Sequence, residues 1–196
     1  MNKLKKLIYM IRDPVNFFEN VKDEDWKPAL IFFSKITLII SILTPIVNFL
    51  GIKSTDYSSA YQAQILAYRI VVERLITKYG TLAYLFEPFL IIGLAYILLF
   101  LMTIFFHIFF KLMGGKGTIL STWKAFCYGI GPCILGGFLP YISLFAAFYS
   151  LLLQLYMGPK VLHEIKELKM IILLAVILAL TFIEMFLTGT TVNFSK

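Results

Sequence analysis

Charge is scarce in this 196-residue chain, with only 15% Asp, Glu, Lys and Arg, and acidic residues number 11 against 18 Lys and Arg. Histidine and cysteine occur only twice each. With so little charge, and 60% of residues drawn from AVILMFWYC where about 45–50% is usual, a water-soluble fold would have to leave large apolar patches exposed. Soluble enzymes, nucleic-acid binders and disordered chains are excluded on that ground. His107 and His163 share no ligand spacing, and there is no HExxH and no GxSxG, so neither metal nor nucleophile chemistry has a motif to rest on. No catalysis, cofactor, metal or nucleic-acid partner is expected. Cys127 and Cys133 lie six apart inside one apolar run and read as small packing residues. The carboxylates Asp23, Glu24 and Asp25, flanked by Lys22 and Lys27, read as a solvated charge run.

What is present is a succession of long apolar runs. In hydrocarbon the backbone must satisfy its own hydrogen bonds, so such runs are helices or barrel strands. "FLIIGLAYILLFLMTIFFHIFF" is apolar on every face, whereas barrel strands alternate, so helices are expected. A first span covers about 29–50, with Pro28 at its start. A second lies within Pro88–Phe110, which has 23 residues free of Asp, Glu, Lys and Arg, enough to cross about 30 Å of hydrocarbon. Ala125–Pro159 is 35 residues without such charge, too long for one crossing, with Gly136, Gly137 and Pro140 where a helix would break. It reads as a hairpin of two spans, 119–138 and 140–159. A fifth span covers 170–188. The expected fold class is therefore an all-α integral membrane protein, a bundle of five transmembrane helices. Residues 1–27 form a cytoplasmic arm, 28–188 the five-span domain and 189–196 a short external tail.

The distribution of Lys and Arg orients the bundle. The arm (Lys3, Lys5, Lys6, Arg12, Lys22, Lys27) and the loops Lys111–Lys124 and Lys160–Lys169 place twelve on one side, against five on the other, with Lys35 inside the first span. A single crossing by 125–159 would leave the split at ten against seven. The positive-inside rule then puts the N-terminus in the cytoplasm and the C-terminus outside the cell membrane. No cleavable signal peptide is expected, because "LIYMI" is only five residues long before Arg12, Asp13 and Pro14.

Two amphipathic segments flank the first span. In "MNKLKKLIYMIR" the residues Leu4, Leu7, Ile8 and Ile11 share a face while Lys3, Lys6 and Arg12 point elsewhere, the pattern of a helix lying on the cytoplasmic leaflet. Trp26 follows at the interface. Within Tyr57–Phe86, Ile65, Tyr68, Val72, Leu75, Tyr79 and Leu82 repeat at spacings of three and four, with Arg69, Glu73 and Thr77 opposite, which predicts an extracytoplasmic amphipathic helix.

The most informative stretch is "HIFFKLMGGKGTILSTWKAFCYGIGP", His107–Pro132. His107 and Lys111 are four apart near a helix C-terminus, where cations offset the helix dipole. Gly114, Gly115 and Gly117 allow a sharp turn with Lys116 at its tip. Exposed amides of such a turn, followed by a helix start, could hold a lipid phosphate; a plain solvated turn is the other reading. It is not a Walker A motif, since Lys116 is followed by Gly117 rather than Ser or Thr. The candidate headgroup or partner loop is thus His107, Lys111, Gly114, Gly115, Lys116, Gly117 and Lys124. Pro132 marks a candidate kink together with Tyr128. Lys35 and Glu184 are the intramembrane polar candidates. They differ in depth by about 10 Å, so snorkelling, a pair between tilted helices and a transport role all stay open.

The chain resembles the Yip domain family of Rab/Ypt-interacting multi-pass membrane proteins, in its short prokaryotic form. The resemblance rests on "DPVNFF" at Asp13–Phe18, on His107, on "KLMGGKGT" from Lys111 to Thr118 and on "AFCYGIGP" from Ala125 to Pro132. It implies five membrane helices and a cytoplasmic N-terminus. Eukaryotic relatives look like adaptors for small GTPases, but their "DLYGP"-like motif is absent here. The expected function is a Yip-type membrane scaffold or adaptor that presents basic cytoplasmic loops to the bilayer's anionic headgroups or to partner proteins, including further copies of itself. The alternative is a small transporter, channel subunit or lipid-handling protein using Lys35, Glu184 and the Pro132 helix.

Overall fold

A computed structural model of the chain describes residues 3–49, 73–138 and 143–191. Among them every regular element is helical and there is no strand. Helix α1 (Lys3–Arg12) is followed immediately by α2 (Pro14–Asn20). Asp13 separates them because its side chain accepts from the Asn16 amide while Pro14 fills a first-turn position where its missing N–H costs nothing.

Helix α3 (Trp26–Phe49) and helix α4 (Ala83–Leu112) are the long apolar pair. A helical stretch over 73–79 and a 3₁₀ turn at Gly80–Leu82 lead into α4. Trp26–Ile46 and Glu73–Leu112 are long and apolar enough to cross a membrane. The second span was expected to open at Pro88; the helix instead begins upstream and carries Pro88 inside it. One proline removes a single backbone bond, which membrane helices tolerate. Phe89, Ile97, Phe100 and Leu101 on α4 are each more than half exposed, an outward face suited to an apolar solvent. The two helices meet where Phe33 packs edge-on to Tyr96, with centroids 5.3 Å apart, and the Ser34 and Tyr96 hydroxyls lie 2.6 Å apart.

The chain then runs through α5 (Ile119–Gly129), α6 (Cys133–Phe138), α7 (Ser143–Leu152), a π turn (Leu153–Met157) and α8 (Gly158–Leu162). A break falls at 130–132, at the candidate Pro132 kink and inside the first arm of the expected hairpin. Pro132 has no N–H to give to Tyr128, and the Gly131 amide takes the Tyr128 carbonyl instead at 2.9 Å, tightening the chain into a 3₁₀-like turn. Pro140 lies outside the described residues. Contacts across this region run antiparallel. Ser150 Oγ donates to the Gly129 carbonyl at 2.6 Å, Gly129 abuts Gln154, and Gly158 abuts Ala125. Residues 119–138 and 143–162 are therefore the two arms of a hairpin. Helix α9 (Glu167–Thr191) completes the fold.

The core is aromatic. Phe17, Phe18, Phe33, Phe110, Tyr128 and Leu153 are all buried. Helix α1 contributes Leu7 and Met10 to that core, so its apolar face docks on the bundle, with Ile8 left exposed. The expectation of a helix lying on the cytoplasmic leaflet did not include this docking: Gly131 leaves a bare patch into which Leu7 and Met10 pack. Most of the Tyr57–Phe86 helix expected outside the membrane, including Ile65, Tyr68, Arg69 and Val72, lies outside the described residues; its last turns expose Tyr79 and Leu82.

Candidate functional site

The polar chemistry gathers at one end of the bundle, where the arm, the α4–α5 turn and the α8–α9 segment converge. Helix α4 ends in a Schellman turn. Gly114, at φ +86°, donates to the Lys111 carbonyl at 2.9 Å and Gly115 donates to the Phe110 carbonyl at 2.9 Å. The turn is not a free loop. The Lys116 amide donates to the His163 carbonyl at 2.8 Å, and Lys169 Nζ donates to the Met113 carbonyl at 2.7 Å. A Cβ on Gly115 would lie 2.8 Å from the Phe110 carbonyl, and one on Gly117 2.5 Å from the Leu162 carbonyl and 2.7 Å from His163 Nδ1. Two of the three glycines are thus required by close packing on His163, and Gly114 by its left-handed backbone.

Behind the turn lies a buried chain of side chains. His163 is fully buried. Its Nε2 is 2.9 Å from Thr122 Oγ1, which is 3.0 Å from His107 Nδ1. The two histidines, which share no spacing in the sequence, lie with ring centroids 5.6 Å apart and planes tilted by 48°. Burial, then the neighbouring His107 and Lys111, push the His163 pKa down to about 4, so the ring is neutral at pH 7.

Lys124 was grouped with the loop cations, and that placement is corrected: it is buried. Its Nζ donates to three backbone carbonyls, of Val21 at 3.1 Å, Lys22 at 2.5 Å and Glu24 at 2.9 Å. Those are all the protons an ammonium has, so Lys124 fastens the α2–α3 connection to α5. Beside it Tyr128, also fully buried, donates to Glu24 Oε2 at 2.5 Å and accepts from Lys6 Nζ at 2.8 Å, while Lys6 pairs with Glu24 at 2.9 Å. Phe17 and Phe32 pack on its ring at 5.1 and 5.2 Å. The carboxylate run read as solvated therefore supplies Glu24 to a half-buried triad, and Lys6 points inward. Neither was visible in the sequence, because Lys6 and Tyr128 are separated by 122 positions.

Around this scaffold opens a pocket of about 330 Å³ lined by Lys22, Asp23, Asp25, Trp26, Lys116, Ser121 and Glu164, with Lys124 at its back. Lys111 is exposed nearby and Lys116 reaches solvent with most of its side chain. The remaining candidates lie elsewhere. Pro132 is buried at the α5–α6 break, and Lys35 stands on an exposed face of α3. Glu184 falls in α9, but its side chain is outside the described residues, as is any pairing with Lys35. Among the described residues no group of three or more His, Cys, Asp and Glu could hold a metal ion.

Long apolar helices capped at one end by a pinned, lysine-rich polar surface define a helical membrane protein. The chain belongs to the Yip1 domain family, whose model matches residues 8–188, nearly its whole length. No curated protein and no solved structure matches it significantly. The family is not one of known enzymes.

Proposed function

We propose that this protein is a multi-pass scaffold or adaptor of the cell membrane, with five membrane helices, a cytoplasmic N-terminus and an external C-terminus. Its work is to hold a basic cytoplasmic surface in fixed shape against anionic lipid headgroups or the acidic face of a partner protein. The observation that carries this reading is the convergence of three basic stretches, 1–27, 111–124 and 160–169, on one end of the bundle. Lys22 of the first stretch and Lys116 of the second both pair there with Glu164 of the third. The interior groups serve the shape: Lys124, Tyr128, Glu24 and Lys6 bind one another and the backbone, and leave Lys111 and Lys116 to face outward. Each basic residue near an anionic leaflet contributes on the order of 1 kcal/mol of attraction.

A photocrosslinking amino acid placed at Lys111, in the full chain and in native membranes, tests the reading. Adducts to a lipid or a protein that fade when Lys116 becomes Gln are expected. Recovery of no adduct dependent on Lys116 would overturn it.

A further inference from the structure

Glu164 has φ +53°, the sole non-glycine positive φ among the described residues, a conformation that carries a steric cost for a side chain with a Cβ. What that backbone achieves is the position of a carboxylate. Glu164 Oε1 receives Lys22 Nζ at 2.5 Å and Oε2 lies 3.2 Å from Lys116 Nζ. The two lysines come from the arm and the glycine turn, and the turn is already anchored by the Lys116 amide on the His163 carbonyl. The result is a two-lysine anion seat, at the rim of the 330 Å³ pocket, with an anion of the protein's own sitting in it. The lysines hold the Glu164 carboxyl below its usual range.

We propose that Glu164 is an internal stand-in for the phosphodiester of a lipid headgroup, occupying the Lys22–Lys116 seat until a headgroup displaces it. This rests on the headgroup-facing reading above and adds its regulation. A carboxylate and a phosphodiester both offer two oxygens and one negative charge to such a seat. The exchange is easy because both ion pairs are exposed, with Glu164 and Lys22 side chains at 45% and 41% and Lys116 at 78%, and exposed pairs hold weakly.

The walls select the ligand. The pocket carries Lys22, Lys116 and Lys124 against Asp23, Glu24, Asp25 and Glu164. Once Glu164 swings out, cations and carboxylates balance, so a monoanionic diester restores the charge the site has now, whereas a dianion such as inorganic phosphate overshoots it. Trp26 and Leu120 line the same pocket, and Leu120 and Ile119 are exposed beside it. They offer an aromatic and aliphatic path for a lipid's glycerol and acyl chains, which a free phosphate would not use.

The test uses the full chain in a neutral detergent, titrated with short-chain phosphatidylglycerol and, separately, with inorganic phosphate. Glu164→Gln is expected to bind the lipid about three- to fivefold tighter than the parent, and Lys22→Gln with Lys116→Gln to lose most of the binding. Glu164→Asn, which tolerates the left-handed backbone, should repeat the gain and shows that it does not come from a misfolded turn. If the parent binds through Lys22 and Lys116 but neither Glu164 variant tightens, the stand-in is overturned and the headgroup reading survives. If lipid binding ignores the lysines altogether, the headgroup reading falls and takes the stand-in with it. Tighter binding of inorganic phosphate than of the lipid would overturn the assignment to a lipid.

Discussion

Tyr128 shows how much one hydroxyl can organise. Its ring is buried between Phe17 and Phe32 and its oxygen joins Lys6 to Glu24, so Tyr128→Phe keeps the packing and deletes only the junction. The expected cost is about 1–2 kcal/mol, measured as a lowered unfolding midpoint in a fixed detergent. Gly117→Ala is expected to be worse, about 2–3 kcal/mol, because the new methyl meets a backbone carbonyl 2.5 Å away that cannot retreat. Gly93→Ala makes the contrast, since nothing lies within 4 Å of its Cβ position and alanine suits a helix better. His163 gives the chain a pH dependence. Its ring is neutral when folded, with the pKa pushed down to about 4 by burial and by His107 and Lys111, while the unfolded chain takes up the proton near pH 6.5. Stability is then complete above about pH 6.5 and is lost as the pH falls toward 4, by on the order of 3 kcal/mol in all. Unfolding midpoints taken from pH 7 to 5 should fall in the parent and flatten in His163→Gln over that window.

At the scale of elements, the apolar runs made the helices legible, because run length and the absence of alternation survive any tertiary context. The lysine–glycine turn was legible as a turn for the same reason: three glycines in four positions exclude a continuous helix. What the sequence could not show was which surface each element meets. Helix α1 carries the pattern of a leaflet-bound helix, and a docked helix has the same pattern, since both bury one apolar stripe. The difference lies in Gly131, 121 positions after Met10, whose missing side chain leaves room for Leu7 and Met10. The π turn at Leu153–Met157 had no sequence signal at all, although Gly158 behind it packs against Ala125. Lys124 was misplaced because a lysine in a turn-proximal helix is most often solvated, and the three carbonyls that hold it come from a segment about 100 positions away. Gly131→Val tests the docking of the arm. Amide exchange over residues 5–12 should rise sharply while α3 and α4 stay protected, which would show a released arm on an intact bundle; unchanged protection of the arm would mean that the Gly131 contact does not hold it.

For the molecule as a whole, the charge count and the contacts group the same three stretches by independent routes. Counting lysines and arginines groups the arm, 111–124 and 160–169 on one side with no reference to geometry. The contacts bring those same three stretches together through Lys22–Glu164, Lys116–Glu164 and Lys124 on the Val21–Glu24 backbone, with no reference to any membrane. Because 124 and 160 are thus at one end, whatever lies between must leave and return, and the antiparallel pairing of Gly129 with Ser150 and of Ala125 with Gly158 supplies that return. Helix α4, about 45 Å long for its 30 residues, is long enough to carry Lys78 to the far side, and α9, with 25 residues and about 37 Å, is long enough to do the same for the chain after 188. Of single cysteines at Lys116 and Lys78, in a background with Cys127 and Cys133 replaced by alanine, the one at Lys78 should react with a membrane-impermeant maleimide in intact cells and the one at Lys116 only after the membrane is permeabilised. A tag after Lys196 should be found with Lys78, on the outer face. If the tag shares its face with Lys116 while Lys78 does not, α9 fails to cross and the number of crossings is even; if Lys116 and Lys78 share a face, α4 does not span and the shared origin of the basic surface is lost.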